Sequence, residues 1–142
     1  IGLQENGQCV DRNGDGVIQT STGLGPLAWP NPGGVDDNGG VSSAVDECII
    51  HYVRTSGTNV RTVAVDANND LWVGGYGNRV HELYDGTTGA PIAGTQFNLG
   101  CGGYGGLIDG NGVLWSARGG NYLLRYDPST STGTCIYISN NI

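Results

Sequence analysis

Two stretches of this sequence decide its fold. Residues 64–76 read AVDANNDLWVGGY, and residues 107–119 read LIDGNGVLWSARG. The two stretches align at an offset of 43 residues, with the Asp-x-Asn and Leu-Trp pairs in register. The Tyr-Asp pair that begins at Tyr84 recurs at Tyr126, an offset of 42 residues. The chain is therefore built on a structural repeat of about 43 residues.

Each repeat has the pattern of four short β-strands joined by tight turns. Residues 62–65 form an apolar strand, and the Asp-x-Asn turn after it supplies side chains that cap their own backbone. Residues 71–74 predict a second strand, and residues 79–84 alternate apolar and polar, as a half-buried strand does. Residues 90–93 are expected to form the fourth strand. Four strands in about 43 residues is the size of a propeller blade.

A third, degenerate repeat opens the chain. Residues 10–15 align with residues 65–70, an insertion rich in Gly, Pro, Asp and Asn follows at 21–45, and a strand is expected to resume at 47–53. The sequence thus predicts one all-β, propeller-like domain over residues 1–142. It consists of three four-stranded blades, the first with a long loop insertion, at about residues 9–57, 60–95 and 103–138.

The best-preserved repeat carries a family resemblance. Residues 114–120 read LWSARGG, and LRYD follows at 124–127. This pattern resembles the short repeats of bacterial extracellular β-propellers of the streptogramin-lyase-like and sensor types, and residues 60–93 resemble them equally well. The resemblance implies a propeller fold. It carries over no functional residue, because such propellers host many unrelated activities and the histidines and metal ligands of the lyases have no match here.

The strongest sequence motif is a calcium loop. Residues 11–19 read DRNGDGVIQ and follow the opening of the pattern D-x-[DN]-x-[DN]-G. Hard oxygen ligands are what Ca²⁺ prefers, and the pattern assigns ligand positions to Asp11, Asn13, Asp15, Val17 (through its carbonyl) and Gln19. Gly16 permits the sharp turn that the pattern needs.

The loop departs from the full calcium pattern at its last position. Thr22 stands where a bidentate Glu is usual. We therefore expect Asp46 or Glu47 to supply the missing carboxylate after the insertion, with residues 36–37, both Asp, as weaker candidates. The competing interpretation is that residues 11–15 form a plain β-turn, like the equivalent turns of the other repeats.

Four cysteines without C-x-x-C spacing favour two disulfides over a zinc site. Cys9 and Cys48 bracket the insertion of the first repeat, and Cys101 and Cys135 flank the last repeat, so we expect these two pairs. Spacing alone leaves the other connectivities open. Disulfides indicate an extracellular or cell-surface protein.

The composition limits the possible partners. The chain has 27 glycines in 142 residues, well above the usual share of about 7%. Its 13 acidic and 6 basic residues give a net charge of −7, which argues against nucleic-acid binding, since phosphate contacts need clustered Lys and Arg. No apolar run approaches the length of about 20 residues that crosses a bilayer.

Residues for catalysis are sparse. His51 and His81 are the only histidines, and a strand-surface role or a hydrogen bond between repeats explains each of them. We therefore expect no enzyme and name no catalytic residue. Trp72 and Trp115 are expected in the core, whereas Trp29 lies in a Pro-Gly loop and is a candidate anchor for a subunit or ligand.

The spacing of the repeats suggests self-assembly. Residues 89 and 109 are 20 apart, and the same spacing would separate residue 133 of one copy from residue 11 of a following copy joined to it. The chain opens at Ile1, as a processed product or an excised segment does. We expect a calcium-stabilised extracellular subunit that assembles head-to-tail with itself into a filament or tandem array. The alternatives are a secreted propeller module that binds glycans or another surface ligand, and a fragment of a lyase-type propeller enzyme.

Overall fold

The computed structural model describes residues 6–20, 46–118 and 120–139. The chain divides into two compact units, Ile1–Tyr52 and Val53–Ile142. Strands occupy the second unit, and the described part of the chain contains no α-helix. No helix in that part is long and apolar enough to cross a membrane.

The second unit contains two four-stranded antiparallel sheets. The first sheet runs in the order β1 (Val60–Val65), β2 (Leu71–Gly75), β3 (Val80–Tyr84) and β4 (Phe97–Asn98). The second sheet runs in the order β5 (Gly105–Ile108), β6 (Leu114–Ala117), β7 (Tyr122–Asp127) and β8 (Thr132–Tyr137). Neighbours in each sheet are neighbours in the chain, and short turns join all of them except β3 and β4, which residues 85–96 connect. The all-β class and the four strands of each of these two repeats are confirmed.

The fourth strand of the first sheet lies later than the sequence predicts. Residues 90–93 form no strand; Pro91 makes one isolated bridge with Tyr84, and β4 follows at Phe97–Asn98. Proline lacks the N–H group that a ladder needs. Gly94 then turns the chain with a φ of +80°, so that Phe97 pairs with His81.

The two sheets pack face to face. Ala64 and Trp72 of the first sheet form a buried cluster with Leu114 and Tyr126 of the second. The Trp72 and Tyr126 rings meet edge to face with centroids 5.5 Å apart, and Phe97 stacks on Tyr126 at 3.8 Å. Aromatic pairs of this kind contribute about 0.5–1.5 kcal/mol each beyond their burial.

A polar network lies inside the same interface. The Ser116 hydroxyl bonds with the Thr62 hydroxyl at 2.9 Å and with Nε2 of His81 at 3.2 Å, and it accepts the N–H of Gly103 at 2.8 Å. Thr62, His81 and Ser116 have no exposed surface. Buried polar groups are tolerated when they are paired in this way. Gly74 makes the network possible, because a Cβ there would lie 2.6 Å from the His81 ring.

The first unit has less regular structure. Its described residues contain one 3₁₀ turn, Asn6–Gln8, and no strand. The strand expected over 47–53 is absent: residues 47–48 form a turn, closed by the bond from the N–H of Ile49 to the carbonyl of Asp46, and Ile49 makes only a single-residue bridge. The described residues thus show two sheets, and a third sheet is not among them.

Candidate metal centre

The loop at residues 11–19, here called the Asp11 loop, is organised around one carboxylate. Oδ1 of Asp11 accepts the N–H of Gly14 at 2.7 Å, and Oδ2 accepts the N–H of Gly16 at 2.8 Å. The bond from Gly16 is the main reason that the pKa of Asp11 lies below its ordinary value. Gly14 and Gly16 have φ values of +75° and +81°. Gly16, the glycine of the calcium pattern, therefore provides the sharp turn that the sequence predicts.

The next alternate side chains of the loop, Asn13 and Asp15, also accept backbone N–H groups. Oδ1 of Asn13 accepts the N–H of Asp15 at 2.9 Å, and Oδ1 of Asp15 accepts the N–H of Val17 at 2.8 Å. The Gln19 amide joins them: its Oε1 accepts from Asn13 at 3.0 Å, and its Nε2 donates to Asp15 at 2.8 Å. The side chains predicted as ligands at 13, 15 and 19 thus lie together.

Glu47 connects the distant chain segment to this loop. Its Oε1 accepts the N–H groups of Arg12 at 2.7 Å and Asn13 at 3.3 Å, and its Oε2 accepts the N–H of Gln19 at 3.0 Å. The residue is only 4% exposed. Of the two carboxylates expected after the insertion, Glu47 is the one that the structure brings to both ends of the Asp11 loop.

Asp46 faces other partners. Its Oδ1 accepts the N–H of Cys48 at 2.8 Å, and its Oδ2 accepts the Thr20 hydroxyl at 3.2 Å. Its backbone carbonyl accepts from the Arg12 guanidinium, which also donates to the carbonyl of Ile49 at 3.2 Å. Through these hydrogen bonds Asp46 holds residues 46–49, the segment after the insertion, beside the Asp11 loop. The candidates at residues 36–37, like Trp29, lie outside the described residues.

The structure contains both disulfides that the sequence favoured. Cys9 pairs with Cys48 across 39 residues, and Cys101 pairs with Cys135 across 34. The first bridge places Glu47 next to the Asp11 loop, because Cys48 is its chain neighbour. The second bridge ties the segment before β5 to β8, the last strand of the second sheet.

The donor set of the Asp11 loop suits a hard cation. Side-chain oxygens of Asp11, Asn13, Asp15 and Gln19 lie in one loop, and Glu47 lies against it. Ca²⁺ takes carboxylate and amide oxygens of this kind. Among residues 6–20, 46–118 and 120–139 no three His, Cys, Asp or Glu side chains form a metal-binding group. The calcium ligands stay a prediction.

The equivalent turns of the other repeats are closed more tightly. One oxygen of Asp66, Oδ1, accepts the N–H groups of both Asn68 and Asp70, at 2.8 and 3.0 Å. Oδ1 of Asp109 does the same for Asn111 and Val113, at 2.8 and 3.1 Å. These donors stand two and four positions after the aspartate, whereas those of Asp11 stand three and five positions after it. The Asp11 loop is thus wider by one residue.

His81, the histidine of the first sheet, has a structural role. Burial lowers the pKa of His81 from 6.5 to about 4, although its bond to the Arg79 carbonyl acts in the opposite direction. The sequence left open a strand-surface role or a bond between repeats, and the bond to Ser116 is the one found. Sequence reasoning missed Ser116 itself. The sequence held a signal for it, because Ser116 is polar whereas Val73, at the same position of the preceding repeat, is apolar.

The two repeat tryptophans differ in burial. Trp72 is 1% exposed, as predicted for a core residue. Trp115 is only half-buried, and its indole N–H donates to Oδ2 of Asp109 at 2.8 Å. The expectation of a core position is therefore wrong for Trp115, because no other sheet of the described chain covers its face.

Comparison of the sequence with protein-family models found no match, and comparison with curated proteins found none either.

Proposed function

We propose that this protein is an extracellular, calcium-stabilised structural subunit of propeller-like blades that assembles head-to-tail with itself into a filament or tandem array. The observation that carries the proposal is the Asp11 loop, where the predicted ligand side chains and Glu47 come together inside a disulfide-closed segment. An ion held there joins residues that are far apart in the chain, which is a stabilising role.

The two described sheets support the propeller-like architecture. Each comes from one repeat of about 43 residues, has four antiparallel strands in chain order, and stacks face to face on the other. This is the organisation of neighbouring blades in a propeller. The third blade and the family resemblance belong to the proposal as well.

The disulfides support an extracellular location. All four cysteines are paired, and disulfides of this kind persist in oxidising compartments. Free calcium is abundant outside cells, where calcium modules bind with Kd values of about 10⁻⁴–10⁻³ M. A site with two loop carboxylates and amide ligands fits that range.

In the proposed site each residue has a defined part. Asp11 and Asp15 supply charge, Asn13 and Gln19 supply amide oxygens, and Val17 supplies its backbone carbonyl. Glu47 supplies the carboxylate that the loop itself lacks at Thr22. Bound calcium neutralises the mutual repulsion of these carboxylates, so the ion stabilises the closed loop.

A cluster of aromatic and arginine side chains favours glycan binding as a second candidate function. Tyr104 is 51% exposed and meets Tyr76 edge to face with ring centroids 5.6 Å apart. The Arg61 guanidinium lies 5.3 Å from the Tyr104 ring centroid. Exposed aromatic rings stack on sugars, and this candidate predicts saturable binding to an oligosaccharide that Tyr104→Ala abolishes.

Calcium titration of the intact chain tests the calcium part of the proposal. We expect one site by calorimetry, and stabilisation of about 1.4 kcal/mol when free calcium is ten times Kd. Glu47→Gln should weaken binding at least tenfold. The matched control is Glu82→Gln, which removes a carboxylate from β3 and should leave calcium affinity unchanged. Equal affinity in the wild-type protein and Glu47→Gln would contradict the assignment.

Electron microscopy of the non-reduced, calcium-loaded protein tests the assembly part. We expect extended particles that shorten or dissociate when calcium is chelated. Discrete small globules at all concentrations would exclude the structural polymer and favour the binding module.

A further inference from the structure

Arg12 joins the Asp11 loop to the chain segment that follows the insertion. The calcium pattern assigns no ligand to its position, the second residue of D-x-[DN]. In the structure, Nη2 of Arg12 donates to the backbone carbonyl of Asp46 and, at 3.2 Å, to that of Ile49. The backbone N–H of Arg12 donates to Oε1 of Glu47 at 2.7 Å. Arg12 therefore contacts Asp46, Glu47 and Ile49 together.

The two carbonyls that accept from the Arg12 guanidinium belong to the ends of one turn. The N–H of Ile49 donates to the carbonyl of Asp46 at 3.3 Å, so Glu47 and Cys48 are the central residues of this turn. Arg12 is exposed, whereas Asp46 and Glu47 are buried. A surface guanidinium thus holds both ends of a turn whose first central residue is the buried Glu47.

The placement of this turn decides which carboxylate reaches the loop. Oε1 and Oε2 of Glu47 accept loop N–H groups at 2.7 and 3.0 Å. Oδ1 of Asp46 instead accepts the N–H of Cys48, within the turn, at 2.8 Å. Because the two side chains point in different directions, a shift of the turn moves Glu47 away from the loop. Bonds at both ends of the turn oppose that shift.

We propose that Arg12 is a positioning residue of the calcium site: by fixing the turn at residues 46–49, it directs the Glu47 carboxylate to the Asp11 loop and raises the affinity for calcium. This inference rests on the proposed calcium site and adds to it a residue that supplies no ligand atom. Arg12 acts through Glu47, which provides the carboxylate that the loop lacks at Thr22.

The charge of Arg12 has the opposite effect on calcium. A guanidinium near a cation site disfavours binding through Coulomb repulsion. In the part of the chain that the structure describes, Arg12 forms no ion pair, so no carboxylate cancels this repulsion. Removing Arg12 tightens calcium binding if charge is its main contribution and weakens binding if it acts through the turn. The sign of the change distinguishes the two roles.

Calorimetry of the intact chain measures that sign. Arg12→Met removes the charge and the side-chain donors, and we expect it to raise the Kd for calcium about 3- to 10-fold. Arg12→Lys keeps a charged donor on a long stem and should recover most of the affinity. An Arg12→Met protein that binds calcium as tightly as the wild type, or more tightly, overturns the inference. An Arg12→Lys protein as weak as Arg12→Met does so as well.

The matched control is Arg118→Met. The Arg118 guanidinium also donates to a backbone carbonyl, that of Gly100 at 3.1 Å, but within the second unit. Its calcium affinity should equal that of the wild type. Near-ultraviolet circular dichroism checks in each variant that the sheets are folded.

A double variant tests whether Arg12 acts through Glu47. In the Glu47→Gln background, Arg12→Met should change the Kd for calcium little further, because the carboxylate that Arg12 positions is already gone. A general loss of structure around the loop would instead weaken binding by the same factor in both backgrounds. Factors that multiply therefore overturn the positioning role.

Hydrogen exchange without calcium separates this inference from the proposed function. The N–H groups of Asn13 and Gln19 donate to Glu47 at 3.3 and 3.0 Å. In chelator, Arg12→Met should speed their exchange about 3- to 10-fold and leave that of β6 unchanged. Unchanged exchange at Asn13 and Gln19 overturns the inference even if the protein binds calcium. A wild-type protein that binds no calcium overturns the proposed calcium site, while faster exchange in the variant still supports the positioning of Glu47 by Arg12.

Discussion

The Asp11 loop and the turn at Asp66 both begin with an aspartate, but the two carboxylates accept different sets of hydrogen bonds. At Asp66 one carboxylate oxygen accepts two backbone N–H groups, and β2 begins directly after the turn. At Asp11 each oxygen accepts one N–H, and two glycines with positive φ widen the loop. Both aspartates therefore cap backbone N–H groups, Asp66 with one oxygen and Asp11 with both. What distinguishes the wider loop is that the side chains of Asn13, Asp15 and Gln19 are joined in it by hydrogen bonds, which makes it a candidate ion site.

The largest effect that would separate the two regions is the loss of a disulfide. Replacing Cys101 and Cys135 by Ser should lower the free energy of unfolding of the sheets by about 3–4 kcal/mol, because the 34-residue closure no longer restricts the unfolded chain. Denaturant unfolding followed by tryptophan fluorescence measures it. Calcium affinity should be unchanged in this variant. The Cys9/Cys48 double variant, by contrast, should bind calcium more weakly. The reverse pattern would contradict the assignment of calcium binding to the first unit and of this stability to the sheets.

Acid should act on the sheets through His81. The pKa of His81 is about 4 in the folded protein, below the ordinary 6.5, so between these values the unfolded chain binds a proton that the folded chain does not. Stability is complete above pH 6.5 and falls as the pH drops toward 4, by about 3 kcal/mol in all. Urea unfolding at pH 7 and pH 4.5 measures the loss.

His81→Gln is the control for this pH profile. It removes the titrating group and keeps an amide that can bond to Ser116, so its stability should depend less on pH over the same range. A profile as steep as that of the wild-type protein would exclude His81 as the cause.

A matched pair of aspartate substitutions compares the loop and the turn directly. Asp11→Asn should abolish stabilisation by calcium, about 1–2 kcal/mol at saturating ion. Asp66→Asn should cost about 1 kcal/mol with or without calcium, because it weakens a cap. Thermal melting in calcium and in chelator gives both numbers. Equal calcium dependence in the two variants would mean that the Asp11 loop is a plain turn.

The smallest effect concerns backbone curvature. Asn69 and Gly112 occupy the same repeat position and have φ values of +67° and +78°. Gly112→Ala should cost about 1 kcal/mol, because alanine disfavours the left-handed region, while Asn69→Gly should be nearly neutral. Gly112→Asn should fall between them. A Gly112→Ala protein as stable as the wild type would show that this turn relaxes to another conformation.

The sequence predicts the sheets better than the first unit for a physical reason. Strands β1, β6 and β7 alternate in burial, and Asp-x-Asn turns follow β1 and β5, so local pattern and tertiary packing agree there. Residues 90–98 depart from the prediction because Pro91 cannot donate to a ladder and the pairing moves on to Phe97. Trp115 departs because burial depends on whether a neighbouring sheet covers its face, which a repeat alignment does not specify.

Part of the candidate ion site is also determined by residues close together in the sequence. The roles of Asp11, Asn13 and Gly16 follow from their spacing, because each bonds within a few residues. The choice of Glu47 over Asp46 depends on a contact across the insertion, with the Cys9–Cys48 bridge beside it. Adjacent residues point in different directions there, and spacing carries no information on which of them faces the loop.

The stacking of unlike faces makes equivalent positions of the two repeats unequal. Trp72 and Trp115 stand at the same repeat position, yet Trp72 is buried between the sheets and Trp115 is only half-buried. The same substitution therefore removes core packing in the first sheet but an indole hydrogen bond to Asp109 in the second. Each repeat is thus free to change at positions where the other is constrained.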